Sequence, residues 1–486
     1  MQAYSVPVIL ILILLYFLYW LKPLSKPRVQ NLLLLAASYG CYAFLNWKFL
    51  VLLVSVALVN FLMGNGLAGA STRSKQKMFL VINIIINLAI LGIFRYYNYI
   101  AQSITRIGTV TGKHFALTSL EILVPIGLSI YLLQALSYSF DIYKKKVEPT
   151  RDIISYLAFV SFFPQMLVGP VERASTMLPQ LLGTRERTRE DFALGAKRIL
   201  WGLFKKLVIA NNVAVYANEI FNNYSDYSGL TIFAGLVCFA FQFYTDLSGL
   251  SDIAIGAARL LGIKLNTNFR FPYFAKNLND FWSRWNISLM FWIKDYVYNP
   301  LGAAEKKTMV VFRNLFLVFF LFGIWHGGNW SFIIFGLANA LFILPATMKP
   351  EMVLGNYNNK IKILNGIEAF AYFLVTGFII IIGLTFFRAE SWSQAVNIIK
   401  NLFTHPFSIS INELRSLGNG FAQSLTSLIM VVLYTIIEWL QRKSEFALDF
   451  TNSKVTDNQG KVITALVLIL LCFFYQAGPD FIYFRY

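Results

Sequence analysis

Apolar runs of about 20 residues, or shorter ones still able to cross a bilayer, recur along the whole chain. They lie near Val6 to Leu21, Asn31 to Trp47, Phe49 to Leu67, Met78 to Phe94, Leu123 to Phe140 and Tyr156 to Val171. Others follow near Gly229 to Tyr244, Met309 to Trp325, Ser331 to Ala346, Phe370 to Phe387, Ser424 to Leu440 and Val462 to Tyr475. The pattern predicts an all-α polytopic membrane protein with roughly ten to twelve transmembrane helices, supplemented by interfacial or re-entrant helices. The first run lacks a basic leader and a small-residue cleavage site, so it is expected to be a retained span.

The polar stretches between these runs set the orientation. KPLSKPR, STRSKQK and YKKKVEPTR follow the first, third and fifth runs and fall on one side if each run crosses once. That side is expected to be the cytoplasm, with the N-terminus outside. Arg95, Arg106 and Lys113 fit this poorly and suggest an interfacial helix before His114. Asp191 to Asn222 and Ser251 to Asn299 mix charges with tryptophan and glycine, so they must be interfacial, re-entrant or buried among other helices. In SDIAIGAARLLGI, apolar residues recur at helical spacing with Asp252 and Arg259 on one face, as in an amphipathic or surface helix.

No fixed-period repeat and no sizeable hydrophilic segment is found, so one membrane domain over 1–486 is expected: N-terminal spans to 150, a core over 151–345, and C-terminal spans from 346.

Composition agrees with a bilayer solvent: 57% of the 486 residues are hydrophobic and only 14% are charged. The formal charge of +18 does not point to nucleic acid, because the basic residues gather in short loops between apolar runs. Cys41, Cys238 and Cys472 sit within or beside apolar runs without metal spacing and read as small core residues.

Two polar positions stand out: Asn286 in DFWSRWNISLMFWIKDYVYNPLG and His326 in GIWHGGNW. An ionisable group at membrane depth is costly and suggests function, although an interhelical hydrogen bond accounts for it equally well. Gly327 and Gly328 would let a substrate approach the ring. In a dry cavity the imidazole can take a proton from a hydroxyl as its oxygen attacks an acyl carbonyl. The Asn286 amide can hold that carbonyl or orient the ring. No metal is expected, since His114 and His405 stand beside no partner at ligand spacing. Nor is there a nucleophile elbow, zinc-protease motif, P-loop or dinucleotide fingerprint.

Four segments in order resemble the membrane-bound O-acyltransferase family, in its bacterial branch of alginate, peptidoglycan and teichoic-acid acyl transfer. They are VPIGLSIYLLQALSYSFDIY (124–143), SFFPQMLVGPVERASTMLPQ (161–180), the stretch from FYTDLSGLSD to KDYVYNPLG (243–302), and WHGGNWSFIIFGLANAL (325–341). The resemblance implies that His326 is the family's invariant histidine and Asn286 its second motif position. SRWNIS carries asparagine where the polysaccharide branch usually has histidine, which leaves His326 as the sole imidazole base.

The resemblance further implies a thioester donor (acetyl-CoA or an acyl carrier) reached from the cytoplasm, with no bound cofactor. It also implies a polysaccharide acceptor outside, an SGNH-type partner, and residence among the lipids of the bacterial inner membrane. Trp285 and Trp325, with Trp282, Trp292 and Trp330, are candidate tunnel walls or an interfacial belt. Arg284, Lys294 and Asp295 are expected near one membrane face. Gln165, Glu172, Arg173, Asp246, Ser248 and Asp252 are candidate tunnel residues or helix-pairing groups. Tyr486, ending DFIYFRY, is a candidate acyl relay or an interfacial anchor. Two further readings stay open: a lipid O-acyltransferase of the same family, and a transporter, which would commonly show inverted repeats.

Overall fold

A computed structural model describes residues 6–111, 124–166, 168–302, 308–327, 330–348, 362–407, 421–451 and 455–478. Among the described residues every regular element is helical and there is no strand. Lys113, His114, Gly328 and Tyr486 lie outside the described residues. The chain gathers into two compact units, Met1–Ala196 with Ala254–Asn266, and Lys197–Ile253 with Thr267–Tyr486.

Seven helices among the described residues are long and apolar enough to cross a membrane, and four shorter apolar helices accompany them. Two predicted runs are joined in one 43-residue helix, α2 (Pro27–Gly69), which follows α1 (Val6–Tyr19). Asn46 is extended there and interrupts the helix, and its Oδ1 accepts the Lys48 amide at 3.0 Å, so it caps the second half. After α3 (Arg73–Leu91) the helix widens into a π turn over Gly92–Tyr96 and continues as α4 (Tyr97–Val110). Arg95 and Arg106 therefore lie within one continuous helical rod.

α5 (Leu128–Tyr143) is buried on nearly all sides, because Tyr131, Gln134, Ser137 and Asp141 each face protein rather than lipid. Gly127 precedes it at φ +73°, where a Cβ would meet the Met166 carbonyl oxygen at 2.4 Å. The run from Tyr156 stops early: α6 (Ile153–Val160) gives way to one 3₁₀ turn at Phe163–Gln165, where Pro164 cannot extend an α-helix. α7 (Ala174–Leu182) follows. α2 and α3 are joined by amides rather than apolar contact alone. Asn83 Nδ2 donates to Asn60 Oδ1 at 2.9 Å and to Ser139 Oγ of α5 at 2.8 Å.

The charged stretch after Asp191 forms α8 (Arg189–Leu203), a π-helical segment over Phe204–Ala210, and α9 (Asn211–Asn223). Most of the SDIAIGAARLLGI segment is the end of a long helix, α10 (Gly229–Leu260), and its residues are mainly buried, with Arg259 and Leu260 half-buried. Its charges are matched by pairing: Arg259 meets Asp191 at 3.0 Å, and Asp252 meets both Arg198 (2.9 Å) and Lys205 (2.6 Å). Small residues allow the approach, since a Cβ on Gly202 would stand 2.5 Å from the Gly249 oxygen.

The second unit continues with α11 (Leu278–Trp282), α12 (Ile287–Ile293), α13 (Thr308–His326), α14 (Trp330–Met348), α15 (Lys362–Arg388), α16 (Trp392–Thr404), α17 (Phe421–Leu440) and α18 (Asp457–Phe474). Beyond α18 the chain is tied back to the π segment. Gln476 N donates to Leu207 O at 3.2 Å, and Asn211 Nδ2 donates to Gln476 O at 2.7 Å.

Candidate active site

α13 and α14 form a hairpin that crosses on two glycines. A Cβ on Gly336 would lie 2.2 Å from the Phe319 carbonyl oxygen, and one on Gly323 would lie 2.5 Å from that of Phe332. No other residue permits so close a backbone approach. His326 is the last residue of α13 and is 4% exposed. Gly327 leaves the helix there, its amide donating to Ile324 O at 3.0 Å, and a Cβ at this position would strike the Phe332 ring.

The His326 ring borders a cavity of about 30 Å³, with room for roughly two waters. Aromatic rings surround it. The imidazole centroid is 4.5 Å from Phe322 and 5.1 Å from Phe387, both rings nearly perpendicular to it. Trp285 also lines it, stacked between Phe243 at 5.6 Å and Phe281 at 5.3 Å. Polar groups in the lining are few: besides His326 there are Asn339 and the indole N–H groups of Trp282 and Trp285, and the Trp282 Nε1 donates to Asn339 Oδ1 at 3.2 Å. The Asn339 Nδ2 is held by its own helix through Phe335 O at 2.8 Å.

Asn286 does not line the cavity. It adopts a left-handed conformation, φ 45° and ψ 49°, which asparagine tolerates better than most residues, and it starts α12. The turn is fixed by Asn268: Ile287 N donates to its backbone oxygen at 2.8 Å and Ser288 Oγ to its Oδ1 at 2.8 Å. The consequence is directional, because the residue just before the turn, Trp285, enters the cavity wall.

The other sequence-predicted residues separate. Trp325 touches the His326 ring at 4.8 Å and stacks on Phe322, but it stands outside the lining. Trp292 is buried against Tyr296, and Trp330 is exposed. Arg284 Nε pairs with Asp280 at 2.6 Å, away from the cavity, and Asp295 lies on a π turn over Lys294–Tyr298. Asp246 is buried in an ion pair with Lys206 at 2.7 Å, the helix-pairing alternative. Ser248 is buried on the same helix, and Asp252 pairs as described above.

In the first unit Gln165 accepts from Gln134 Nε2 at 3.2 Å and donates to Pro170 O at 2.8 Å. Glu172 there accepts the Asn266 amide at 2.6 Å, Asn266 Nδ2 at 2.7 Å and the Thr176 hydroxyl at 2.8 Å. Burial pushes its carboxyl above the ordinary value, against the pull of these hydrogen bonds. The candidate relay Tyr486 lies outside the described residues.

Residues 148–385 match the sequence model of MBOAT, the membrane-bound O-acyltransferase family. The chain is 35% identical to the probable alginate O-acetylase AlgI of Pseudomonas putida, over 89% of this chain and 86% of that protein. The chain belongs to this family. The peptidoglycan O-acetyltransferase of Helicobacter pylori is 32% identical over 78% of this chain and 74% of its own length. The teichoic acid D-alanyltransferase of Bacillus subtilis is 30% identical over 38% of this chain and 50% of its own length. As a member of the membrane-bound O-acyltransferases the protein is a multi-pass membrane enzyme that transfers acyl groups to oxygen.

Most of the lining residues of this family member escaped the sequence reading, Asn339, Phe243 and Phe387 among them. Asn339 carried a usable signal, an amide in the apolar run SFIIFGLANALFIL. Phe243 and Phe387 carried none, since phenylalanines within apolar runs look the same whether they face lipid, core or substrate.

Proposed function

We propose that the protein takes an acyl group, acetyl in the first instance, from a thioester on the cytoplasmic side and delivers it to hydroxyls outside the cell membrane. The observation that carries this is the buried His326 imidazole bordering a small cavity lined almost wholly by aromatic and aliphatic side chains. A hydroxyl oxygen attacks the thioester carbonyl while His326 accepts its proton. The C–S bond breaks, and the departing thiolate takes that proton back, so nothing accumulates. Low polarity strengthens each of these interactions. Asn286 serves by setting the turn that aims Trp285, and Asn339 with the Trp282 N–H supplies the polar groups near the base.

The relatives named for alginate and peptidoglycan O-acetylation support a cell-envelope polysaccharide as acceptor. They also support the cytoplasmic membrane of a bacterium as the site of action. Acetyl-CoA or an acyl-carrier thioester is the proposed donor. An SGNH-type transferase is the proposed partner where the acyl group is handed on, with Tyr486 as a relay whose phenol carries the ester.

Mass spectrometry of envelope glycans tests this in cells carrying His326→Ala at wild-type protein level. Loss of one sugar ester is expected, and unchanged esterification overturns the assignment of the base. Tyr486→Phe tests the relay separately: undiminished transfer removes it.

A further inference from the structure

Tyr244 of α10 stands where a charged network meets the aromatic wall. Its hydroxyl donates to Glu438 Oε1 at 3.0 Å, and the same oxygen accepts from Tyr434 at 2.6 Å. Glu438 is 3% exposed and lies in the apolar run of α17. A carboxyl at that depth is costly, and two phenol donors are strong compensation. Lys205, paired with Asp252, lies over the face of the Tyr244 ring at 5.9 Å. The opposite neighbours are cavity walls: Trp285 is 6.0 Å from the Tyr244 ring, and Phe243 precedes it in the chain. Neither tyrosine lines the cavity, but the Tyr244 ring touches Trp285, whereas the Tyr434 ring stacks on Trp201 at 5.5 Å and 16° and meets Tyr244 at 6.3 Å.

We propose that Glu438 is a positioning residue for the His326 cavity: through the Tyr244 hydroxyl it fixes the tilt of Trp285 and Phe243, and so the width offered to the acyl chain. This rests on the acyl-transfer reading above. In a cavity of about 30 Å³ a small tilt of one indole changes which chain fits. The carboxylate performs no chemistry on the substrate. Its effect is on selection between acyl groups.

The test uses the full chain in lipid nanodiscs, with acetyl-CoA and butyryl-CoA as donors and membranes bearing the envelope polysaccharide as acceptor. Glu438→Gln and Tyr244→Phe are expected to lower the acetyl-to-butyryl ratio of kcat/KM about tenfold, the discrimination that one or two methylenes supply. Tyr434→Phe removes a donor from the same carboxylate and is expected to lower the ratio by less than Tyr244→Phe does, because the phenol that touches Trp285 keeps its own hydrogen bond. General destabilisation would lower both donors together, and that result overturns the proposal.

A readout independent of turnover is the ¹⁹F spectrum of protein labelled with 5-fluorotryptophan, with the Trp285 resonance assigned by its loss in Trp285→Phe. Glu438→Gln and Tyr244→Phe should each move that resonance, and Tyr434→Phe should move it less. An unmoved resonance in Tyr244→Phe, which keeps every ring carbon, refutes the proposal even if Glu438→Gln fails to fold. The acyl-transfer reading fails by a different result, no transfer from either thioester to the polysaccharide by the wild-type protein.

Discussion

The rings of His326 and Phe387 stand at 86° to one another with centroids 5.1 Å apart, so α15 presses a phenyl against the imidazole that ends α13. The same phenyl meets Phe243 at 4.9 Å and Phe332 at 4.9 Å. It therefore bounds the cavity and also holds the base in place. Phe387→Leu keeps an apolar wall but returns part of the ring's volume to the cavity. Butyryl transfer is expected to rise relative to acetyl by about tenfold, with the fold retained, because one methylene's fit is worth roughly 1–3 kcal/mol. Competition between the two thioesters, read by mass spectrometry of the product ester, checks this. A ratio equal to wild type would place the acyl chain elsewhere.

The α13–α14 crossing makes a sharper structural prediction. Gly336→Ala puts a methyl 2.2 Å from a backbone oxygen, which no rotamer can relieve. Overpacking of this kind costs about 3 kcal/mol or more, which corresponds to a fall in Tm on the order of 5 °C or more. Gly377→Ala on α15 is the control, since nothing lies within 4 Å of a Cβ there. Thermal unfolding in detergent should separate the two variants, and similar melting temperatures would mean the hairpin is looser than its glycines suggest.

Much of this arrangement was legible in the chain. Long apolar helices stand where the hydrophobic run is longest, as in α13, because lipid demands a continuous apolar helix. The reading weakened where protein replaces lipid as the neighbour. The π-helical segment after α8 and the inner half of α10 carry Lys205, Lys206, Asp246 and Asp252, which composition alone excludes from hydrocarbon, yet pairing between the two accommodates them. His326 was visible as an isolated imidazole. Asn286 was visible too, but its place in a left-handed turn beside the cavity depends on φ and ψ, which no spacing in the sequence encodes.

Asp246 separates a tunnel role from a pairing role. Its partner Lys206 is buried to a similar degree, so Asp246→Asn leaves a buried ammonium without its counter-charge and should cost about 3–5 kcal/mol. Replacing both members, as in Asp246→Leu with Lys206→Met, removes the uncompensated charge and should recover most of the lost stability. A double variant that melts near the wild-type temperature and still transfers acyl groups identifies the pair as structural. Recovered folding with abolished turnover would instead return Asp246 to the substrate path.

Glu172 predicts a pH dependence within the first unit. Its carboxyl is held above its ordinary value of 4.5 by burial, so the folded state binds a proton more tightly than the unfolded chain does. Over the window from that ordinary value up to the raised one, the native state carries more protons than the unfolded state. Stability contributed by this residue is therefore fully present in acid and is lost as pH rises through the window. Glu172→Gln does not titrate, but it forces an Nε2 donor toward the Asn266 and Thr176 donors that now share two carboxyl oxygens. That mismatch should cost roughly 1–3 kcal/mol at every pH. The excess stability of wild type over Glu172→Gln should thus be largest in acid and shrink as pH increases, which melting curves of both proteins from pH 4 upward would show. An excess that instead grows with pH would mean that the hydrogen bonds to the ionised carboxylate outweigh its burial.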